Sequence, residues 1–168
     1  MLFRSVVCLG PKGERTVALP DFITDAFSTS LGEGEIIKEV RVAKPKAGSG
    51  GAYIAFKRCA PVYASASAAV QLTIESGACQ SANIFLGAVG LTALHAREAE
   101  TALIGNNVDA KTISAAAEAA MASAQPQSDQ RGSADYKRQL VRGLVTEAIE
   151  AAVRRATGGR VEVTHHYA

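Results

Sequence analysis

At 168 residues, 48% apolar and 20% charged, the chain has the composition of a soluble globular protein with one good core or two small ones. Its formal charge of +2 is spread along the sequence instead of gathered in a basic block, which argues against nucleic acid or an anionic membrane surface as partner. Cys8, Cys59 and Cys79 are odd in number and lack a CxxC pair, which argues against a disulfide framework or zinc site; with no apolar run of membrane length, the expectation is a cytoplasmic protein without a membrane span.

Residues 6–9 and 16–19 are strand-like and flank Gly10-Pro11-Lys12-Gly13, a turn-forming cluster, so they predict a hairpin. Pro20-Asp21-Phe22-Ile23 predicts a single helical turn. Gly32-Glu33-Gly34 reads as a plain turn, because no helix N-terminus follows it to bind a phosphate; the β-branched run Ile36, Ile37, Val40 and Val42 then reads as a strand that Pro45 stops. Residues 44–51, rich in Lys, Pro and Gly, mark a domain boundary.

Residues 52–89 predict an antiparallel meander with Tyr63 in the link between its first two strands. Ala68, Val70, Leu72 and Ile74 alternate with Ser67, Gln71, Thr73 and Glu75, Ser76-Gly77 supplies a turn, and Ala82, Ile84, Leu86 and Ala88 repeat the alternation. A small sheet with one bare apolar face needs cover, and the following sequence supplies helices. The first is expected from a Thr92 cap, with Ala96, Ala99, Ala102 and Leu103 on one face and Gly105-Asn106 as its stop. The second starts at Asp109 as N-cap and carries Ile113, Ala117, Ala120, Met121 and Ala124; the third starts at Ser133 and buries Val141, Leu144, Val145, Ala148, Ile149, Ala152 and Val153 before Gly158-Gly159. The expected fold is α+β: a three-stranded antiparallel sheet covered by a three-helix bundle over residues 48–157. Residues 158–168 are expected to form a loose tail, with His165-His166 a frayed terminus and no metal site.

No GxSxG, HExxH, Walker loop or spaced Cys/His pair is present, so the residues give no catalytic constellation. His95 is expected on the first helix as a surface or core-edge residue. Tyr63 stands in Arg58-Cys59-Ala60-Pro61-Val62-Tyr63, an irregular link that puts a ring either at the sheet edge, open to a planar ligand, or in the core with its hydroxyl at the surface. Lys57 and Arg58 lead into that link; adjacent strand residues face opposite ways, so at most one of them meets an anionic ligand.

Ala26-Phe27-Ser28-Thr29-Ser30-Leu31-Gly32-Glu33-Gly34-Glu35-Ile36-Ile37-Lys38-Glu39-Val40-Arg41-Val42, then Tyr53, Phe56-Lys57-Arg58 and Tyr63-Ala64, Ala96-Arg97-Glu98-Ala99-Glu100, and Ser128-Asp129-Gln130-Arg131-Gly132-Ser133-Ala134-Asp135-Tyr136-Lys137-Arg138 together resemble the FAD-binding medium subunit of the molybdenum hydroxylases, the carbon monoxide dehydrogenase and xanthine dehydrogenase family. The last of these is similar to that family's closing D-x-R-G-x-A-x-Y-R segment.

The resemblance implies that residues 1–45 are the remnant of an FAD-binding domain whose two glycine-rich phosphate loops have no counterpart here, with residues 1–5 a non-native start, and that residues 48–157 are the C-terminal domain. It implies FAD as cofactor, with Tyr63 against the isoalloxazine; Lys57, from its charge and its place before the link, is the second cofactor-binding candidate. It also implies two partner subunits, a large one holding the molybdenum cofactor and a small one holding iron–sulfur clusters. The task implied is electron passage from those clusters through FAD to an external acceptor; the alternative is a stand-alone interaction module of the same fold. Where the family's pattern reads Gly-Asp-Tyr-Ala, this chain has Pro61-Val62-Tyr63-Ala64, so any polar contact of the acidic residue is lost. Residues 1–45, without a parent sheet, are expected to be poorly ordered and the chain alone inactive.

Overall fold

The computed structural model describes residues 3–162, 166 and 167. The chain divides into two compact units, Met1–Pro45 and Lys46–Ala168.

In the first unit, β1 (Phe3–Gly10) and β2 (Gly13–Ala18) form the expected hairpin, and β5 (Ile36–Val42) pairs with the other edge of β1, giving an antiparallel sheet in the order β2-β1-β5. The single helical turn is α1 (Leu19–Phe22), with Pro20 in its first turn, where a missing N–H costs nothing. It seats Phe22 against Val6 and Cys8, with Val17, Leu19 and Leu31 around them. Two short strands, β3 (Ile23–Asp25) and β4 (Ser28–Thr29), pair with each other. The Gly32-Glu33-Gly34 turn is pinned by one carboxylate: Glu35 accepts from Arg15 Nε at 2.8 Å and from the Gly32 amide at 2.6 Å. The Arg15 bond, then the Gly32 amide, hold the Glu35 carboxyl down at about 2. This turn is structural, and residues 3–45 carry an ordered sheet and small core, contrary to the disorder expected of them. β5 nevertheless remains exposed along its whole length.

The second unit holds the larger core. β6 (Ser49–Lys57), β7 (Ala66–Glu75) and β8 (Ala78–Gly87) are the three antiparallel strands of the meander. The sheet has five strands, not three, in the order β10-β6-β7-β8-β9. The additions are two-residue edges: β9 (Leu94–His95) pairs with Phe85 and Leu86, and β10 (His166–Tyr167) lies parallel to Phe56 and Lys57. The tail therefore has a partner, and His166 Nε2 also meets Glu147 Oε2 at 2.6 Å; His165 lies outside the described residues. The first helix begins later than expected. Thr92 caps nothing, because Leu94 and His95 join the sheet first, and α2 spans only Arg97–Leu103 behind an Ala96 cap without a side-chain bond. Asp109 caps α3 (Ala110–Ser123) in a reciprocal capping box with Thr112, and Ser133 caps α4 (Ala134–Ala156) through the Tyr136 amide at 3.2 Å.

α4 lies across β6 and β7, α2 lies against β8, and α3 packs on both helices. The inward rows Ala52 and Ile54, Ala68, Val70 and Leu72, and Ala82, Ile84 and Leu86 meet Val141, Leu144, Val145, Ala148 and Ile149 in one cluster. The closest approach is at Gly50, where a Cβ would stand 2.5 Å from Ala156 N and closer still to the Ala152 carbonyl oxygen. Gly143, in the interior of α4, has nothing within 4 Å of the same position. Gly50→Ala is therefore expected to lower stability by at least the ~1–3 kcal/mol of an overpacked contact. Gly143→Ala is expected to raise it by about 0.5–1 kcal/mol. Urea unfolding of the two variants against wild type checks both signs.

Candidate functional site

The β6–β7 connection, residues 58–65, is long for an antiparallel link and is closed at its base by Ser65 N–H donating to the Phe56 carbonyl at 2.8 Å. A turn from the Cys59 carbonyl to the Val62 amide, 3.3 Å, carries the chain to Tyr63, which is 84% exposed. The ring is thus outside the core, and the packed-tyrosine alternative is excluded.

Across from this loop stands the segment between α3 and α4. Asp129 and Gly132 exchange two backbone hydrogen bonds, both 3.1 Å, and Gly132 has φ +143°, where a Cβ would lie 2.5 Å from Tyr136 Cδ1. Only glycine suits that position. The two walls are tied together: Ser65 Oγ donates to the Arg131 carbonyl at 3.1 Å and Arg58 to the Gln130 carbonyl at 3.3 Å. Between them is an open cleft of about 850 Å³, lined by Arg58, Cys59, Val62 and Tyr63 on one side and Asp129, Gln130 and Arg131 on the other.

Asp129 organises the second wall. Its carboxylate accepts from Lys137 Nζ at 2.7 Å, from the Arg131 amide at 2.8 Å and from the Arg131 guanidinium at 3.2 Å. Lys137, then the Arg131 amide, hold its carboxyl at about 2, against an ordinary 3.8. Among the described residues Arg131 thus shares the Asp129 carboxylate with Lys137, whereas no carboxylate pairs with Arg58. Of the two adjacent basic residues, Arg58 is the one at the cleft. Lys57, the last residue of β6, is half-buried, opposite Tyr167 in the register, and does not line the cleft, so the structure does not bring it to Tyr63.

His95 is not on a helix. In β9 it stacks on Phe85 at 4.4 Å between centroids, and its Nε2 meets Glu100 Oε1 at 2.6 Å, the same oxygen that accepts the Ile84 amide at 2.8 Å. That arrangement fastens a sheet edge to α2. Among the described residues no group of three His, Cys, Asp or Glu side chains is placed to hold a metal ion. No helix among them is long and apolar enough to cross a membrane. Ser65, Asp129 and Arg131 carry no chemical signature in the sequence; only the Asp129-Gln130-Arg131-Gly132 segment marked their neighbourhood.

A meander with one face under three helices, and a cleft between the β6–β7 link and the α3–α4 turn, define the architecture of a known class. Residues 51–152 match the CO dehydrogenase flavoprotein C-terminal domain, and the chain belongs to that family. It is 38% identical to the carbon monoxide dehydrogenase medium chain of Afipia carboxidovorans over 147 residues, 88% of this chain and 51% of that one. It is 35% identical to the 6-hydroxypseudooxynicotine dehydrogenase complex subunit alpha of Paenarthrobacter nicotinovorans, over 92% of this chain and 52% of that one. Among solved structures it is similar to the carbon monoxide dehydrogenase from Hydrogenophaga pseudoflava that lacks the Mo-pyranopterin moiety of its molybdenum cofactor, with TM-score 0.88 and 38% identity, over 92% of this chain and 54% of that one. Quinoline 2-oxidoreductase from Pseudomonas putida 86 gives TM-score 0.85 at 30% identity, over 92% of this chain and 54% of that one. The chain spans about half the length of the curated relatives it matches.

Because the Asp129 carboxyl is lowered on folding, its contribution is present above the unfolded value of 3.8 and is lost as pH falls through about 2. The 128–132 turn should therefore hold its amide resonances unchanged from pH 7 to about 5 and lose them progressively below about 4. Asp129→Asn should remove this pH dependence, as amide NMR across the range would show.

Proposed function

We propose that this chain is part of the FAD-carrying medium subunit of a cytoplasmic molybdenum-containing hydroxylase, assembled with a large molybdenum-cofactor subunit and a small iron–sulfur subunit. Residues 1–45 would be the closing part of an FAD-binding domain and residues 48–157 the C-terminal domain. The family match and the relatives named as medium chains and complex subunits support this reading, and the single observation that carries it is the exposed Tyr63 ring over the cleft. When bound, FAD would supply the passage of electrons from the iron–sulfur clusters to an external acceptor.

The residues present fit such a group. Tyr63 offers an apolar face for a planar ring and excludes water from it; Arg58 brings an uncompensated positive charge to the cleft; Val62 offers no polar contact where the family pattern has an acid. Lys57, placed off the cleft wall, leaves the cationic role to Arg58. No glycine-rich phosphate loop is present in the sequence, so the 168-residue chain alone should hold FAD weakly and be inactive by itself.

The test uses Cys59, which lines the cleft and is exposed, while Cys8 and Cys79 are buried. Millimolar FAD is expected to slow labelling of Cys59 by a thiol reagent in the wild type and not in Tyr63→Ala, with Cys8 and Cys79 slow throughout. Since Tyr63 is mostly solvated, Tyr63→Ala should change stability by no more than about 0.5 kcal/mol, and in the assembled subunit should weaken FAD retention roughly tenfold. Equal labelling with and without FAD would remove the assignment of the cleft.

A further inference from the structure

Lys137 is placed against two ordinary preferences. It stands in the first turn of α4, where the helix dipole disfavours a cation, and it is 3% exposed, where an ammonium loses its hydration. An aliphatic residue would fill the same position on the apolar stripe that continues through Val141 and Leu144. What the lysine adds is a pair of directed bonds, from Nζ to Asp129 Oδ1 at 2.7 Å and to the Gln127 carbonyl at 2.8 Å.

We propose that Lys137 is a positioning residue of the cleft: from the rigid end of α4 it fixes Asp129, and through Asp129 the placement of Arg131 and the spacing of the two walls. The path is continuous. Asp129 takes the Arg131 amide and guanidinium, the Arg131 carbonyl takes the Ser65 hydroxyl, and the Gln130 carbonyl takes Arg58, so the β6–β7 link that presents Tyr63 is held to α4 through the buried ammonium, beside the bond from the Ala134 amide to Ser128 Oγ at 3.0 Å. The consequence for flavin rests on the function proposed above; the positioning of the walls does not.

Three variants of the whole chain test it: Lys137→Met, which keeps length without charge; Lys137→Arg, which keeps the charge; and Asp129→Asn, which cuts the same path from its partly solvated side. Lys137→Met is expected to keep a cooperative melt, to speed hydrogen exchange at the Arg131 and Gly132 amides at least tenfold while Ala148 and Ile149 in α4 stay as in wild type, and to reduce the protection of Cys59 by FAD at least fivefold. Lys137→Arg should restore most of both effects, and Asp129→Asn should reproduce the exchange effect. Unchanged exchange at Arg131 and Gly132, a uniform rise along α4, or no rescue by arginine would overturn the proposal. If Lys137→Met does not fold, Asp129→Asn decides: faster exchange confined to residues 128–132 supports the proposal, and wild-type exchange there overturns it. If FAD fails to protect Cys59 in the wild type, the flavin reading fails while the exchange result still decides the positioning role.

Discussion

Helix α4 can lie directly on β6 because Gly50 has no side chain at the point where the Ala152 carbonyl and the Ala156 amide come down on the strand. Arg155 closes the same contact by donating to the Gly51 carbonyl at 2.5 Å and to the Val161 carbonyl at 2.8 Å. With the C-terminal half so anchored, Val141, Leu144, Val145 and Ile149 are carried onto the inward face of the meander and removed from water, each worth about 1.5–3 kcal/mol. The helix is thereby a fixed beam over the sheet, and what projects from its N-terminal end inherits that rigidity.

The cleft lies at that end. Neither wall has regular structure of its own; one is a strand-to-strand link and the other a helix-to-helix turn, and loops of this kind hold shape only by being tied to a scaffold. The ties run through Ser65, Asp129 and Lys137, and glycine at position 132 lets the turn pass close to Tyr136, whose ring meets Phe56 edge-on at 6.4 Å. Tyr63 is left out of this network and stays exposed.

The parts of the fold visible in the sequence are those whose signal is periodic or chemical. Alternation from Ala68 to Ile74 identifies β7, and the Asp109 and Ser133 caps place the starts of α3 and α4 correctly. β9 and β10 were not legible because two residues carry no period, and β9 in turn delays α2 past Thr92. The order of residues 3–45 was missed because a core of Val6, Cys8 and Phe22 is too small to show as a pattern. Parity could have separated the basic pair: with Ala52, Ile54 and Phe56 facing the helices, Lys57 must face away, while Arg58 lies past the strand end and is free to turn into the link. Lys137 was legible in principle as a cation on the apolar stripe four residues before Val141, but its partner Asp129 precedes the helix, beyond the reach of any i, i+4 rule.

The same ties decide the electrostatics of the cleft. An aspartate lining a cleft would ordinarily oppose an anionic ligand, yet Asp129 is committed to Lys137 and to Arg131, and with its carboxyl held at about 2 it stays ionised and paired across the physiological range. Its single negative charge is shared between two cations, so Lys137, Arg131 and Asp129 together keep an excess of positive charge, to which Arg58, facing no carboxylate among the described residues, adds its own. Val62, next to Tyr63, adds no charge of its own. An exposed ring beside two arginines, whose charge one shared carboxylate does not cancel, is a surface whose field favours an anionic group over a cationic one. In an open, hydrated cleft that preference weakens as salt shortens the reach of the guanidinium field to roughly 8 Å at physiological ionic strength.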